Sequence, residues 1–232
     1  VNNEVIFLSN DINLRIKAKS RGISAKSHDD ARFSFSELFS GIKTIVNEEA
    51  GSKLQENNHI DPAVYGIDLE PNECVYFQNV AGDGIALGRK VAPNKVKLLR
   101  KQFPWGLSSK NKEQAFAIDL LMDKNIDLVT LIGKAGTGKS IVALASALEL
   151  VINKKEYNKL IVYRPIQAVG NDIGFLPGLL EEKLSPWFQA IMDNFEPLFS
   201  TKGGGDWRRN FEMYQRKGVI ELGAITYIRG RS

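Results

Sequence analysis

Gly133-Lys-Ala-Gly-Thr-Gly-Lys-Ser140 fits the phosphate-binding pattern G-x-x-x-x-G-K-[ST] at every fixed position. The flanks of this stretch fit as well. Asp127-Leu-Val-Thr-Leu-Ile132 is short, mostly apolar and carries β-branched residues, which predicts a buried parallel strand. Ile141–Val151 is rich in Ala and Leu, which predicts a buried helix. Strand, glycine loop and helix in that order make the α/β arrangement that a phosphate site needs.

The reason is anion chemistry. Gly133, Gly136 and Gly138 let the backbone curl so that successive N–H groups converge on one phosphate. The start of the following helix adds its positive dipole end. Lys139 supplies a full positive charge for the terminal phosphates, and the Ser140 hydroxyl is placed to ligate Mg²⁺. The expected ATP contacts are therefore Gly133, Lys134, Ala135, Gly136, Thr137, Gly138, Lys139 and Ser140. The competing reading is an ordinary glycine-rich turn between strand and helix.

Composition sets outer bounds. The chain has 232 residues, a net charge of +4, one Cys and two His. A single Cys74 excludes an internal disulfide and suits a reducing, cytoplasmic compartment. One Cys with His28 and His59 argues against structural zinc. No apolar run approaches the roughly 20 residues that span a bilayer. No basic, signal-like segment opens the chain.

Upstream, Val5–Leu8 reads as a buried strand and Asp11–Arg21 as a short helix stopped by Gly22. Asp11, at a strand's C-terminal end, is a candidate metal ligand; the alternative is a helix cap. Phe33–Glu49 reads as a helix, with Phe35, Leu38, Phe39, Ile42 and Val46 on one face. Over residues 61–103, three short strand-like runs broken by Asn, Gly and Pro predict a small antiparallel β unit linking residues 1–58 to residues 106–232.

Between Arg89 and Lys112 stand Arg89, Lys90, Lys95, Lys97, Arg100, Lys101, Lys110 and Lys112, with no Asp or Glu. Phe103 and Trp105 sit inside that run. Cations interleaved with rings suit single-stranded nucleic acid, because charges track phosphates and rings stack on bases. Arg89, Lys95, Lys97, Arg100 and Lys101 are the nucleic-acid candidates, set against an ordinary solvated face with a core Trp. Further on, Lys159–Tyr163 reads as the next strand. It ends in Arg164, a candidate contact to phosphate or nucleic acid whose alternative is a surface ion pair. Gly170–Gly178 reads as a loop beside the phosphate site, and Ser185-Pro186 as the start of a helix. Past Ser140, no run of four apolar residues is followed by Asp, so the residues predict nucleotide binding with weak hydrolysis.

These residues together resemble the PhoH family of ATPases in its form fused to an N-terminal PIN domain. The resemblance rests on Gly106–Asp119 with its N-K-E-Q-A-F-A core, G-K-A-G-T-G-K-S, Tyr163-Arg-Pro165, Gly170–Gly178, Glu181-Glu-Lys183 and Tyr227–Ser232, and on S-N-D-I-N-L-R near the start. It implies a RecA-like core (a parallel sheet flanked by helices), action on RNA, Gln114 as the reader of adenine, and a hexameric ring. An amide offers the donor and acceptor that adenine needs; the plainer role for Gln114 is a residue early in a helix. Lys139, Arg229 and Arg231 are the candidate catalytic cations, the last two facing the γ-phosphate of their own or a neighbouring subunit. In the family a Mg²⁺-holding strand follows R-G-R-S, so the resemblance also marks this chain as an internal piece of a longer protein. Two functions follow: an ATPase coupled to RNA binding or unwinding, or an RNA-cleaving PIN-type protein that uses ATP as a regulator.

Overall fold

The computed structural model describes residues 6–26, 39–165, 180–200 and 206–225. It divides into two units, Val1–Gly41 and Ile42–Ser232. The first contains β1 (Ile6–Leu8), α1 (Ile12–Ser20) and β2 (Ser24–Lys26), with β1 parallel to β2 and Phe7 opposite Ala25. Asp11 caps α1: its carboxylate accepts from the Asn13 and Leu14 amides at 2.8 and 3.1 Å. The expected burial of β1 is not seen, since Leu8 is 62% exposed. Among the described residues of this unit, two strands and one short helix do not provide the layers that would cover both faces of a strand.

The second unit opens on β3 (Ile42–Val46) and α2 (Glu48–Asn57), where the sequence reading places a helix over Phe33–Glu49. Residues 27–38 lie outside the described residues. From Ile42 the β-branched content decides for strand. Asn47 then starts α2, its side chain accepting from the Ala50 amide at 2.9 Å. β4 (His59–Ile60), β5 (Cys74–Gln78), β6 (Gly84–Ala92) and β7 (Lys95–Leu98) complete a five-stranded sheet in the order β3-β5-β6-β7-β4. β3 runs parallel to β5, and the other pairs are antiparallel. The unit is thus larger than the expected one and mixed rather than purely antiparallel.

Strand alternation gives this sheet two faces. Val75, Phe77, Ala86 and Val96 pack with Ala50 and Leu54 of α2 in one core. Cys74, Tyr76, Leu87, Arg89 and Lys97 alternate with them, with Cys74 opposite Arg89, Arg89 opposite Lys97, and Tyr76 opposite Leu87. Helix α3 (Lys112–Leu121) is tied to this second set at both ends. The Lys112 ammonium stands 4.0 Å from the Tyr76 ring centre, and Asp119 takes the Arg89 guanidinium.

Beyond α3 come α4 (Lys139–Leu148), β8 (Leu160–Arg164), α5 (Leu180–Ser200), α6 (Trp207–Arg216) and β9 (Ile220–Ala224), with β8 parallel to β9. Their core gathers Leu144, Leu148, Phe195, Phe199, Phe211 and Ile220. Trp105 joins it at 5% exposure, its indole donating to the Leu198 carbonyl at 2.8 Å and its ring meeting Phe199 edge-on. Helix α5 begins at Leu180, so Ser185-Pro186 lies inside it and not at its start. Leu180-Glu-Glu-Lys-Leu184 are all strong helix formers and carry the helix back past the proline.

Asp127–Ile132 departs most from expectation. It forms no strand, and Leu128 and Ile132 are 83% and 63% exposed. Among the described residues β8 and β9 pair only with one another, and a strand without a ladder partner has no structure to join. No helix among the described residues is long and apolar enough to cross a membrane.

Candidate functional site

The loop before α4 has the shape its sequence requires. Gly136 and Gly138 sit at φ +78° and +86°, a left-handed backbone that side chains other than glycine's rarely adopt. Gly138 is the N-cap of α4, no side chain among the described residues caps the helix, and no acid stands in its first turn. The leading N–H groups of α4 are thus left for an incoming acceptor. Ser140 is exposed in that first turn.

Lys139 closes this cradle on itself. Its ammonium donates to the Gly133 carbonyl at 2.8 Å, the Lys134 carbonyl at 2.7 Å and the Thr137 hydroxyl at 3.3 Å. The Thr137 hydroxyl in turn donates to the Lys134 carbonyl at 2.9 Å. All these acceptors are neutral. A phosphate offers the same ammonium a charge-assisted bond, roughly twice as strong as a neutral one. Glycine loop, uncapped helix start and a lysine on neutral oxygens together fit a phosphate group.

Gln114 reaches the same loop from α3. Its amide nitrogen donates to the Thr137 carbonyl at 3.1 Å, and its amide oxygen accepts from the Lys110 N–H at 2.8 Å. A Cβ on Gly138 would stand 2.8 Å from that nitrogen, so the glycine also admits Gln114. Asn111 caps α3 by accepting from the Gln114 amide at 2.8 Å and fixes where the side chain starts.

The basic run divides. Arg89 is 2% exposed; it donates from Nε to Asp119 and from Nη2 to Asp123, both at 2.6 Å, and from Nη1 to Asn72 at 2.9 Å. Burial opposes its charge, but the bonds to Asp123 and Asp119 outweigh that and raise its pKa. Asp123 shows the mirror effect: partial burial pushes its carboxyl up, and bonds from Arg89 and Asn125 hold it below its ordinary range. Arg89 is therefore removed from the nucleic-acid candidates, because its guanidinium is buried and two of its three partners are anions. Lys95, Lys97, Arg100 and Lys101 are exposed. Lys97 stands 3.9 Å from Asp119, and Arg100 donates to the Asn58 side chain at 3.2 Å. Of the two rings, Phe103 is 55% exposed with Lys101 over it at 5.3 Å, while Trp105 is core. Cys74 lies beside the Arg89 cluster; burial first, then nearby Asp119, pushes its thiol up to about 12, so it is unreactive.

The remaining candidates separate as follows. Arg164 is half-buried at the end of β8. Arg229, Arg231 and the loop Gly170–Gly178 lie outside the described residues. Asp11 has the capping role, and among the described residues no group of three or more His, Cys, Asp or Glu comes together to hold a metal. Sequence reading missed Asp119, Asp123 and Tyr76. Asp119 carries a usable signal: it is a lone charge inside Ala115-Phe-Ala-Ile-Asp-Leu-Leu121, and acids in apolar helix stretches are seldom buried without a partner.

A glycine loop feeding an uncapped helix, with a lysine at the turn, defines the class: an α/β protein with a P-loop. Comparison with known proteins narrows it. Residues 106–232 match the family model for PhoH-like protein, and residues 1–29 match a PIN domain model. The chain is 38% identical to Protein PhoH2 of Bacillus subtilis, the alignment covering 98% of this chain and 52% of that one. For Protein PhoH2 of Mycolicibacterium smegmatis the figures are 36%, 98% and 50%. For that of Thermobispora bispora they are 33%, 99% and 51%. The chain thus spans about half the length of these curated relatives. No solved structure gives a significant match. The chain belongs to the PhoH-like protein family, a family of P-loop NTPases.

Proposed function

We propose that this chain binds ATP with Mg²⁺ at Gly133–Ser140 and is the nucleotide-binding part of an ATPase coupled to RNA. The observation that carries the reading is the Lys139 ammonium, held by three neutral oxygens at the uncapped start of α4. In this reading the loop N–H groups and Lys139 take the phosphates and Ser140 takes the metal. Gln114, already seated against the loop, reads the base. Lys95, Lys97, Arg100 and Lys101 offer exposed charge to RNA.

The test is an ATP titration. Lys139→Ala removes the charge-assisted phosphate contact and is expected to weaken ATP by about 2–4 kcal/mol. Equal dissociation constants for parent and variant would end the assignment. Stimulation of ATP turnover by added RNA checks the coupling. The match of residues 1–29 to a PIN domain model favours one second reading, metal-dependent RNA cleavage with ATP as a regulator. RNA cleavage that persists without ATP would move the account there.

A further inference from the structure

The second sheet face does not meet α3 along its whole length. Near the start of the helix a groove of about 700 Å³ opens, with Tyr76, Ile85, Leu87 and Leu99 among its apolar walls. Arg100, Lys101, Lys110 and Lys112 also line it, with Glu113 as the acid among them. Among the described residues none of the four cations is in an ion pair.

We propose that this groove is the path of single-stranded RNA. The proposal rests on the reading above that the chain binds RNA, and it says where. An anionic backbone with flat, largely apolar bases needs cations beside apolar wall, which is the combination found here. Two ammonium groups already rest on rings: Lys112 over Tyr76 at 4.0 Å and Lys101 over Phe103 at 5.3 Å. Each pair is what one nucleotide separates, the base taking the ring face and the phosphate the ammonium. The hydroxyl end of Tyr76 lies against Gly84, where a Cβ would come within 2.8 Å of the ring, so β6 keeps that place clear for it.

The charge also extends beyond the groove, to exposed Lys95 and Lys97 on β7, which favours a polymer over a mononucleotide. The groove is separate from the phosphate loop, yet both use α3. Asn111, Lys112, Ala115 and Ile118 line the groove, while Gln114 bonds to Thr137 of the loop.

Fluorescence polarisation of a labelled oligouridine on the full chain tests this. The triple variant Lys101→Gln, Lys110→Gln, Lys112→Gln should lose roughly tenfold or more in affinity, and its log–log salt slope should flatten by about 2, near 0.7 for each lost phosphate contact. Its affinity for ATP should not change. Tyr76→Leu should weaken binding several-fold at unchanged slope, and Tyr76→Phe should not. A control removing equal charge elsewhere, Lys53→Gln, Lys154→Gln, Lys155→Gln, should stay within about twofold of the parent, having lost no phosphate contact. If the groove triple binds like the parent, or the control loses as much, the groove is wrong while RNA binding stands. If the parent binds no oligouridine, RNA binding itself fails and the groove with it.

Discussion

Arg89 and Lys139 each direct hydrogen bonds to three partners, in two regions of the same unit. At the joint between sheet and α3, two of the partners are carboxylates and the guanidinium is 2% exposed. At the loop before α4 every partner is neutral, and the lysine is only half-buried. The difference teaches how to read a cation. One compensated by buried anions is part of the frame, since removing either side strands a charge. One satisfied by carbonyls and a hydroxyl is available for exchange, because an anion is a better partner than those it would leave.

The sharpest way to break this contrast is at the joint. Arg89→Met strips both Asp119 and Asp123 of their guanidinium partner, leaving Asp119 only the exposed Lys97 at 3.9 Å as a cation among the described residues, and should cost about 3–5 kcal/mol of stability. Urea unfolding measures it; a midpoint equal to the parent's would show that the cluster does not hold α3. Next in size is Gln114→Ala at the loop. If the amide reads the base, ATP affinity should fall by about 1–3 kcal/mol and GTP affinity much less. A competition assay with an unchanged ATP-to-GTP ratio would leave Gln114 as a brace for Thr137 alone.

The smallest effect concerns pH. Asp123 has its carboxyl held below the ordinary value of 3.8. A depressed acid contributes stability above its unfolded pKa and loses it as pH falls through the folded one. The parent should therefore lose a component of stability on acidification below about pH 4. Asp123→Asn should lack that component and start about 1 kcal/mol lower at neutral pH. Superimposable acid-unfolding curves for the two proteins would contradict the pairing.

The loop was readable in the sequence because eight consecutive residues encode it, and two of its glycines, Gly136 and Gly138, meet a local requirement for positive φ. The joint was not, because Arg89 and Asp119 lie 30 residues apart and share no local pattern. A run of like charge therefore looked uniform until burial split Arg89 from Lys95, Lys97, Arg100 and Lys101. The strand over Ile42–Val46, where the sequence reading has helix, has a similar cause. Ile42 and Val46 are spaced as on a helix face, but their preference for strand is met by pairing with β5, which follows only after α2 in the chain. Asp127–Ile132 shows the converse, with strand composition but no ladder partner among the described residues.

The central claim is that Lys139 is an exchangeable cation in a nucleotide site. Urea unfolding of the parent and of Lys139→Ala, each with and without Mg-ATP, tests it most directly. Without nucleotide the two should differ by about 1 kcal/mol or less, because a half-buried lysine outside the core gives up bonds only to neutral acceptors on exposed residues. With ATP at a hundred times the parent's dissociation constant, the parent should gain about 2.7 kcal/mol and the variant about 0.9 kcal/mol or less. Equal gains in both proteins, or none in the parent, would contradict the account.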